Sequence, residues 1–391
     1  MGVPLRYNLR NLFERRGTTI MTAVGIGLTV AVLVTSIAMA TGMNAVFAGT
    51  GHPLQMLILR DGSDAELTSS ITQETWEVVR QLPGIARTSS GEVMASPEGL
   101  VVINLPSIEN PDGMNVSVRG ILPIARTMRP TVQLTRGVWN EPGKRELVTG
   151  EGIAKRYPSC RVGQTLKFGH GDWKVVGEFS DSEGGAANSE LWADLPQLRG
   201  DMEQQGGCSS VLLRVDSPAA IEPMKQAVKN DQRLKLSSIG EREYYESLKK
   251  NSSGVVLNFI GFFVAIVMAI GAGFAATNTM YAAVSRRSRE IGTLRALGFS
   301  RFSILTSFTF EAICLALIGG VLGCLIALPL NNLSAGIGNW TTFSEMAFKF
   351  RVTPLSIVLG LLFAAVIGLL GGFLPAWSAA KKNVVTAMRE A

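Results

Sequence analysis

Four long runs of apolar residues constrain this chain more than any other feature of its sequence. They occupy residues 18–47, 253–284, 302–330 and 354–378. No Lys or Arg lies inside any of them, and their one acidic residue is Glu311. A helix needs about 20 apolar residues to cross the hydrocarbon core of a bilayer, so each run is long enough for one span. The sequence therefore predicts a membrane α-helical fold with four transmembrane helices.

The distribution of charge predicts how these spans are oriented. The net charge is +6, yet residues 50–250 hold 23 Lys/Arg against 26 Asp/Glu. The positive surplus flanks the apolar runs, at Arg6, Arg10, Arg15, Arg16, Arg286, Arg287, Arg289, Arg295, Arg301, Lys381, Lys382 and Arg389. This positive-inside pattern differs from a phosphate-binding surface, and it excludes nucleic acid as a partner. We expect both termini in the cytoplasm and residues 48–252 outside it, with the spans in a bacterial inner membrane.

The first run has a second interpretation, because Ala38-Met39-Ala40 resembles a signal-peptidase site. The apolar stretch extends from Ile20 to Phe47, whereas the core of a signal peptide has about 7–15 residues, so an uncleaved anchor is favoured. Residues 1–17 place leucines and arginines on opposite helical faces, which predicts an amphipathic helix in contact with membrane lipid. The alternative is a basic flank that only sets orientation. Residues 379–391 are expected to form a cytoplasmic tail.

Residues 48–252 have the pattern of a soluble α+β domain inserted between the first and second spans. Strands are predicted at 55–60, 100–104, 114–120, 146–149, 165–168, 173–179, 210–215 and 234–238, and helices at 72–81, 218–228 and 241–250. The two outer β-α-β pieces are expected to form one subdomain, with the middle stretch inserted as a second. The last helix could run straight into the second span. Residues 331–353 are predicted to be a short extracytoplasmic loop.

No known reaction centre is visible in the sequence. It contains no GxxxxGK[ST] phosphate loop, no HExxH and no GxSxG, and its two histidines have no zinc-ligand spacing. Cys314 and Cys324 are too far apart on one helix for a disulfide. Cys160 and Cys208 could pair outside the cytoplasm, although two free thiols are favoured. We expect no metal, no bound cofactor and no catalytic activity in this chain.

Small residues recur in the predicted spans. Gly319 and Gly323 form one GxxxG pair, and Gly368 and Gly372 form another. Such pairs allow two backbones to approach closely in lipid, where apolar burial does not drive association. They predict tight helix packing, either within the subunit or across a dimer.

The segment 285–301 between the second and third spans is the most informative part of the sequence. Its candidate functional residues are Arg286, Arg287, Arg289, Glu290, Ile291, Gly292, Leu294, Arg295, Leu297 and Gly298. The apolar members recur at helical spacing, and Arg286 and Glu290 are four residues apart on another face. Gly298 suits a helix C-terminus and Ser300 the N-cap of the third span. Periodicity alone leaves open whether the apolar ridge of this short helix contacts lipid or protein, or whether the segment is only a basic interfacial turn.

This segment, continued through Phe310-Glu311-Ala312, closely resembles the signature of the MacB/FtsX/LolC permease family of type VII ABC transporters. The resemblance covers the whole chain, including the order of one span, a large domain and three further spans. Val118-Arg119-Gly120 through Gly177 looks like the family's extracytoplasmic domain. The tail 384–389 resembles the family's P-x-x-A-L-R, with Val384 in place of proline and Met388 in place of leucine.

The resemblance implies that two permease subunits, identical or homologous, pair with two ABC ATPase subunits that bind ATP and Mg²⁺. Because the chain has no phosphate loop, a separate ATPase is expected. ATP-driven motion would pass to the extracytoplasmic domain. Three functions fit: export with a periplasmic adaptor and outer-membrane channel, release of a lipoprotein or lipid to a carrier, or FtsX-like activation of a cell-wall hydrolase without transport. The domain of about 200 residues favours the first two.

The resemblance also implies that the short helix docks on the ATPase. Ile291, Leu294 and Leu297 are expected to fill an apolar groove. The arginines at 287, 289 and 295 would meet acidic groups at its rim. Glu311 inside the third span is expected to have a structural or coupling partner, such as an arginine of this segment, because an acid at membrane depth is costly. A solvated acid at the inner interface is the alternative.

Overall fold

The computed structural model describes residues 16–203, 207–231 and 233–381. The predicted helix at 1–17 and tail at 379–391 lie outside these residues, apart from 16–17 and 379–381. Four helices are long and apolar enough to cross a membrane. They are α1 (Arg16–Ala48), α8 (Ser253–Arg286), α10 (Arg301–Ala327) and α11 (Pro354–Lys381). Four spans with a large mixed α/β domain after the first confirm the predicted fold class.

The remaining elements follow in chain order. The shorter helices are α2 (Gln73–Val79), α3 (Pro123–Met128), α4 (Glu151–Arg156), α5 (Leu195–Asp201), α6 (Ile221–Asn230), α7 (Glu241–Lys250) and α9 (Ser288–Ala296). The strands are β1 (Gln55–Arg60), β2 (Ile71–Thr72), β3 (Ala95–Leu105), β4 (Met114–Ile121), β5 (Val132–Gly137), β6 (Glu146–Gly150), β7 (Thr165–Phe168), β8 (Gly171–Asp181), β9 (Glu190–Asp194), β10 (Gly207–Cys208), β11 (Ser210–Arg214), β12 (Leu236–Gly240), β13 (Ser334–Gly338) and β14 (Glu345–Lys349).

One sheet runs through the whole large domain. Its strand order is β12-β1-β11-β3-β4-β9-β6-β8-β5, with β7 paired to β8. Apolar residues bury three separate clusters against it. One contains Met56 and Leu213, one contains Trp173, and one contains Phe179 and Trp192. The first cluster lies at the β1–β11 end of the sheet and the other two at the β9–β8 end, and the antiparallel β3–β4 pair joins the two ends in a continuous sheet.

A buried ionic cluster lies around β3 and β4, the strand pair that joins the two ends of the sheet. The Arg119 guanidinium is 2.7 Å from Glu66, 2.8 Å from Glu98 and 2.8 Å from Glu190. Arg129 makes a second ion pair with Glu98 at 2.7 Å. Burial alone would raise the pKa of Glu66, but Arg119 lowers it below its ordinary value. The Glu66 carboxylate therefore stays ionised, and the Arg119 guanidinium on β4 connects β3, β9 and the turn at Glu66.

Two sequence predictions about the chain near the spans are wrong. The helix α7 ends at Lys250 and α8 begins at Ser253, so they are not one continuous helix. At the break, the Asn251 carbonyl accepts a hydrogen bond from the Trp340 amide at 3.2 Å. The segment 331–353 is more than a loop, since β13 and β14 form an antiparallel hairpin that clusters with the large domain.

The cysteines do not form disulfides. Cys160, Cys208, Cys314 and Cys324 are all free, and the first two are buried in the large domain. Burial raises the pKa of the Cys160 thiol to about 12 and that of Cys208 to about 11, so both are protonated and unreactive at neutral pH.

Candidate coupling site

The short helix α9 is held between two spans by well-formed ends. Leu297 is its C-cap, and Gly298 follows with φ +94°, a left-handed conformation that favours glycine. The Gly298 amide donates to the Arg295 carbonyl at 3.1 Å, and the Phe299 amide donates to the Leu294 carbonyl at 3.1 Å. This is a Schellman motif, and it stops the helix abruptly. The Ser300 hydroxyl then accepts the Ser303 amide at 3.1 Å and caps α10.

Ile291 packs against the membrane-spanning helices of its own chain. Its side chain is 1% exposed and belongs to an apolar cluster with residues of α8, α10 and α11. The other buried members are Met280, Val284, Ile304, Phe308, Ala312, Ala376, Ala379 and Ala380. Gly292 beside it is also buried. The expectation that Ile291 fills a groove on another protein is therefore wrong, because residues of its own subunit cover its side chain.

Arg287 is a buried structural residue and not a rim arginine, which corrects the sequence prediction. Its guanidinium Nη1 lies 3.2 Å from Glu311 Oε2, and its Nε lies 2.9 Å from Glu290 Oε2. The guanidinium carbon also lies 5.2 Å from the centre of the Phe308 ring. Glu311 thus pairs with an arginine of the 285–301 segment. Glu290 pairs with Arg287, three residues before it.

The outward surface of α9 carries a different set of residues. Arg286, Arg289, Glu290, Leu297 and Gly298 are exposed, whereas Leu294 and Arg295 are half-buried. The Leu297 side chain is 71% exposed. Phe302, which the sequence analysis did not select, is 72% exposed at the start of α10. The Nε of Arg295 has no hydrogen-bond partner within the described part of the chain. Leu297 and Phe302 are thus exposed apolar side chains that lie close along the chain to the exposed Arg289 and Arg301.

The first GxxxG pair packs α10 against α1. A Cβ added to Gly319 would lie 2.6 Å from the Ala23 carbonyl oxygen. A Cβ on Gly323 would lie 2.3 Å from the Gly27 carbonyl oxygen. Both distances are too short for a side chain, so only glycine permits this approach of the two backbones.

The second pair packs α11 against α10. A Cβ on Gly368 would lie 2.6 Å from the Ala316 Cβ, and one on Gly372 would lie 2.3 Å from the Ala312 Cβ. All four glycines therefore pack helices within one subunit.

The described residues contain no cluster of three or more His, Cys, Asp or Glu side chains able to hold a metal ion. A short helix is fixed rigidly to three spans on one side and exposes apolar and basic groups on the other. Together with the large inter-span domain, this arrangement defines the permease class of ABC transporter subunits.

Family models identify the chain more closely. The model for the MacB-like periplasmic core domain matches residues 19–231, and the model for the FtsX-like permease C-terminal region matches residues 262–384. The chain belongs to the MacB/FtsX-type permease family.

Relatives of this chain are named macrolide export ATP-binding/permease protein MacB. The one from Vibrio parahaemolyticus is 22% identical over 381 residues, which is 88% of this chain and 56% of the relative. The one from Hahella chejuensis is 28% identical over 238 residues, which is 58% of this chain and 35% of the relative. The chain thus spans about half the length of these relatives or less.

Two solved structures are also similar. The periplasmic region of MacB from Actinobacillus actinomycetemcomitans is 13% identical, with a TM-score of 0.37, and the match covers 52% of this chain and 94% of that one. The extracellular domain of the transporter YknZ from Gram-positive bacteria is 15% identical, with a TM-score of 0.36, and the match covers 48% of this chain and all of the other.

Proposed function

We propose that this chain is a non-catalytic permease subunit that passes ATP-driven motion from an ABC ATPase to its large extracytoplasmic domain. The supporting observation is the position of α9. Buried Ile291 and Arg287 fix this helix to α8, α10 and α11, so a force applied to α9 moves the spans with it. ATP and Mg²⁺ bind the ATPase, whose phosphate loop lies outside these 391 residues.

The docking anchors differ from those that periodicity predicts. Leu297 at the end of α9 and Phe302 at the start of α10 both have exposed apolar side chains. In this proposal the two side chains enter an apolar notch on the ATPase. Arg289 is exposed and Arg295 is half-buried, so both are available to acidic groups at the rim of the notch. Such rim charges mainly set association rate and salt dependence. Ile291 and Arg287 serve instead to transmit the force.

Export is the activity that we favour for the assembled complex. Its support is the MacB-like periplasmic core model, together with relatives that are named as macrolide exporters. In this proposal the permease pairs with a second permease copy or a homologue. Its outer domain works with a periplasmic adaptor and an outer-membrane channel. Release of a lipoprotein to a carrier and FtsX-like activation of a hydrolase are the competing functions, and gene neighbours would discriminate among the three.

Replacing Leu297 with glutamate tests the docking surface. The change places a charge in an apolar notch, so we expect the ATPase to bind at least tenfold more weakly, because truncating an anchor alone costs about 1–2 kcal/mol. Leu297→Met is the matched control and should retain binding. Co-purification of the ATPase and its turnover in proteoliposomes measure both variants. If Leu297→Glu keeps the ATPase with unchanged affinity and turnover, the docking surface lies elsewhere.

A topology experiment tests the proposed orientation in the inner membrane. Alkaline phosphatase fused at Ser182, in the large domain, should be active because that domain lies outside the cytoplasm. The same enzyme fused at Gly298 should be inactive, and a fluorescent protein placed after Ala391 should fluoresce. Phosphatase activity at Gly298 would contradict the orientation that the positive-inside pattern predicts.

A further inference from the structure

The hairpin between the third and fourth spans carries an inference that rests on the proposed function and goes beyond it. Its strands pair from Ser334 with Lys349 to Gly338 with Glu345. One end follows the span α10, and the other leads into the span α11. The hairpin nevertheless clusters with the large domain and not with the spans.

The principal contact is the carboxylate of Glu345, which is 3% exposed. One oxygen forms an ion pair with the Arg156 guanidinium at the end of α4, and the other accepts the Tyr157 hydroxyl. A second nitrogen of Arg156 bonds Glu109 at 2.7 Å. Burial and the Glu345 carboxylate raise the pKa of Tyr157 well above its usual range, so its hydroxyl remains a donor. Glu345 is thus held by two donors from one helix end.

Further bonds hold the hairpin along its length. The Ala347 amide donates to the Ser189 hydroxyl at 2.7 Å. The Asn339 side chain donates to the Leu248 carbonyl at 2.8 Å, at the end of α7. The Asn115 side chain donates to the Phe343 carbonyl at 2.9 Å. The hairpin is therefore bonded to four separate parts of the large domain, counting the Glu345 contact.

A buried ion pair is an expensive way to hold a hairpin, because apolar packing of similar volume is often as stable or more so. A buried ion pair instead fixes the position of the hairpin, because only one arrangement of the hairpin brings the two charges together. The first and second spans join the large domain through the chain itself, at residues 48–55 and 250–253. The third and fourth spans are joined to each other by the hairpin, so the contacts of the hairpin connect the chain between these spans to the large domain.

We propose that the hairpin is a strap through which the third and fourth spans pull on the large domain, with Glu345 as its anchor. The third span carries Glu311, which pairs with Arg287 beside α9. A force on α9 therefore reaches this span directly and continues along the chain into β13. Through its contacts with Arg156 and Ser189, the strap transmits this force to α4 and to the turn at Ala186–Ser189.

The test uses the full permease with its ATPase in nanodiscs. Hydrogen exchange of the large domain is compared between the nucleotide-free complex and the complex trapped with ATP and vanadate. We expect wild type to show a nucleotide-dependent change of roughly fivefold or more, the lower end of usual coupling factors. In Glu345→Ala the ATPase should stay bound and hydrolyse ATP, while this change is lost. Lys349→Gln is the matched control, because Lys349 is an exposed hairpin residue 3.5 Å from Glu151, and it should behave as wild type.

A cysteine pair separates loss of the strap from general damage. The Ser189 hydroxyl contacts the Ala347 amide, so a cysteine pair at these two positions would join the hairpin to the turn at Ala186–Ser189. Added to Glu345→Ala, this pair should restore the nucleotide-dependent change when oxidised and lose it when reduced. A full change in Glu345→Ala, or no restoration by the disulfide, would overturn the strap. If wild type itself shows no change in the large domain, the proposed function fails instead.

Discussion

Replacing Arg287 with methionine is expected to lower the free energy of unfolding by about 3 kcal/mol. This is the lower end of the cost of removing one partner of a buried ion pair. Arg287 is 5% exposed, and its guanidinium contacts Glu311, Glu290 and the Phe308 ring. Methionine fills much of the same volume but removes the charge that faces the Glu311 carboxylate. Unfolding by SDS titration in mixed micelles measures the loss.

The neighbouring arginine provides the control for this experiment. Arg286 is exposed, and Arg286→Met should change stability by less than about 0.5 kcal/mol. Adding Glu311→Gln to Arg287→Met should recover part of the loss, since the buried carboxylate is then neutral. Arg287→Met should also uncouple ATP turnover from the large domain. Equal stability of the Arg287 and Arg286 variants would show that the buried pair does not fix α9 to the third span.

Replacing Gly323 with leucine is expected to cost about 3 kcal/mol, the upper end of the usual cost of overpacking. Even a Cβ at this position would lie 2.3 Å from the Gly27 carbonyl oxygen and 2.9 Å from the Val30 Cβ. A backbone oxygen cannot rotate away as the end of a side chain can, so α1 and α10 must separate. The same SDS titration measures the loss, and thiol labelling of Cys324 should become faster.

Gly271 supplies the matched control in α8. A Cβ there meets no atom of the described residues within 4 Å, so Gly271→Leu should be tolerated. A loss of stability at Gly323 no larger than at Gly271 would contradict the close packing of α1 against α10.

The architecture was predictable because its signals are local. The length of an apolar run shows that a segment can span a bilayer, and basic flanks orient it. Alternating apolar residues and turn residues similarly located β1, β8 and β11. Gly298 marked the end of α9 and Ser300 marked the start of α10, since helix caps depend on residues within one turn.

The coupling site was only partly predictable. Helical spacing grouped Ile291, Leu294 and Leu297 on one ridge, but spacing does not tell what covers a ridge. Ile291 is buried against residues of three spans, whereas Leu297, beyond the end of the helix, faces outward. A charged residue is usually placed at the surface, yet Arg287 is buried because Glu311 neutralises it within the subunit. The two residues are 24 positions apart, and only the packing of α8 against α10 brings them together.

The sequence by itself determined the number of spans, the place of the inserted domain and the position of the short helix, because each depends on neighbours along the chain. Tertiary structure alone decided which arginine is buried, which glycines touch which helix and what the 331–353 segment does. Glu345 lies 188 residues from Tyr157, and nothing local in either segment indicates the other. Contacts over such separations depend on the shape of the whole domain, which periodicity and composition do not encode.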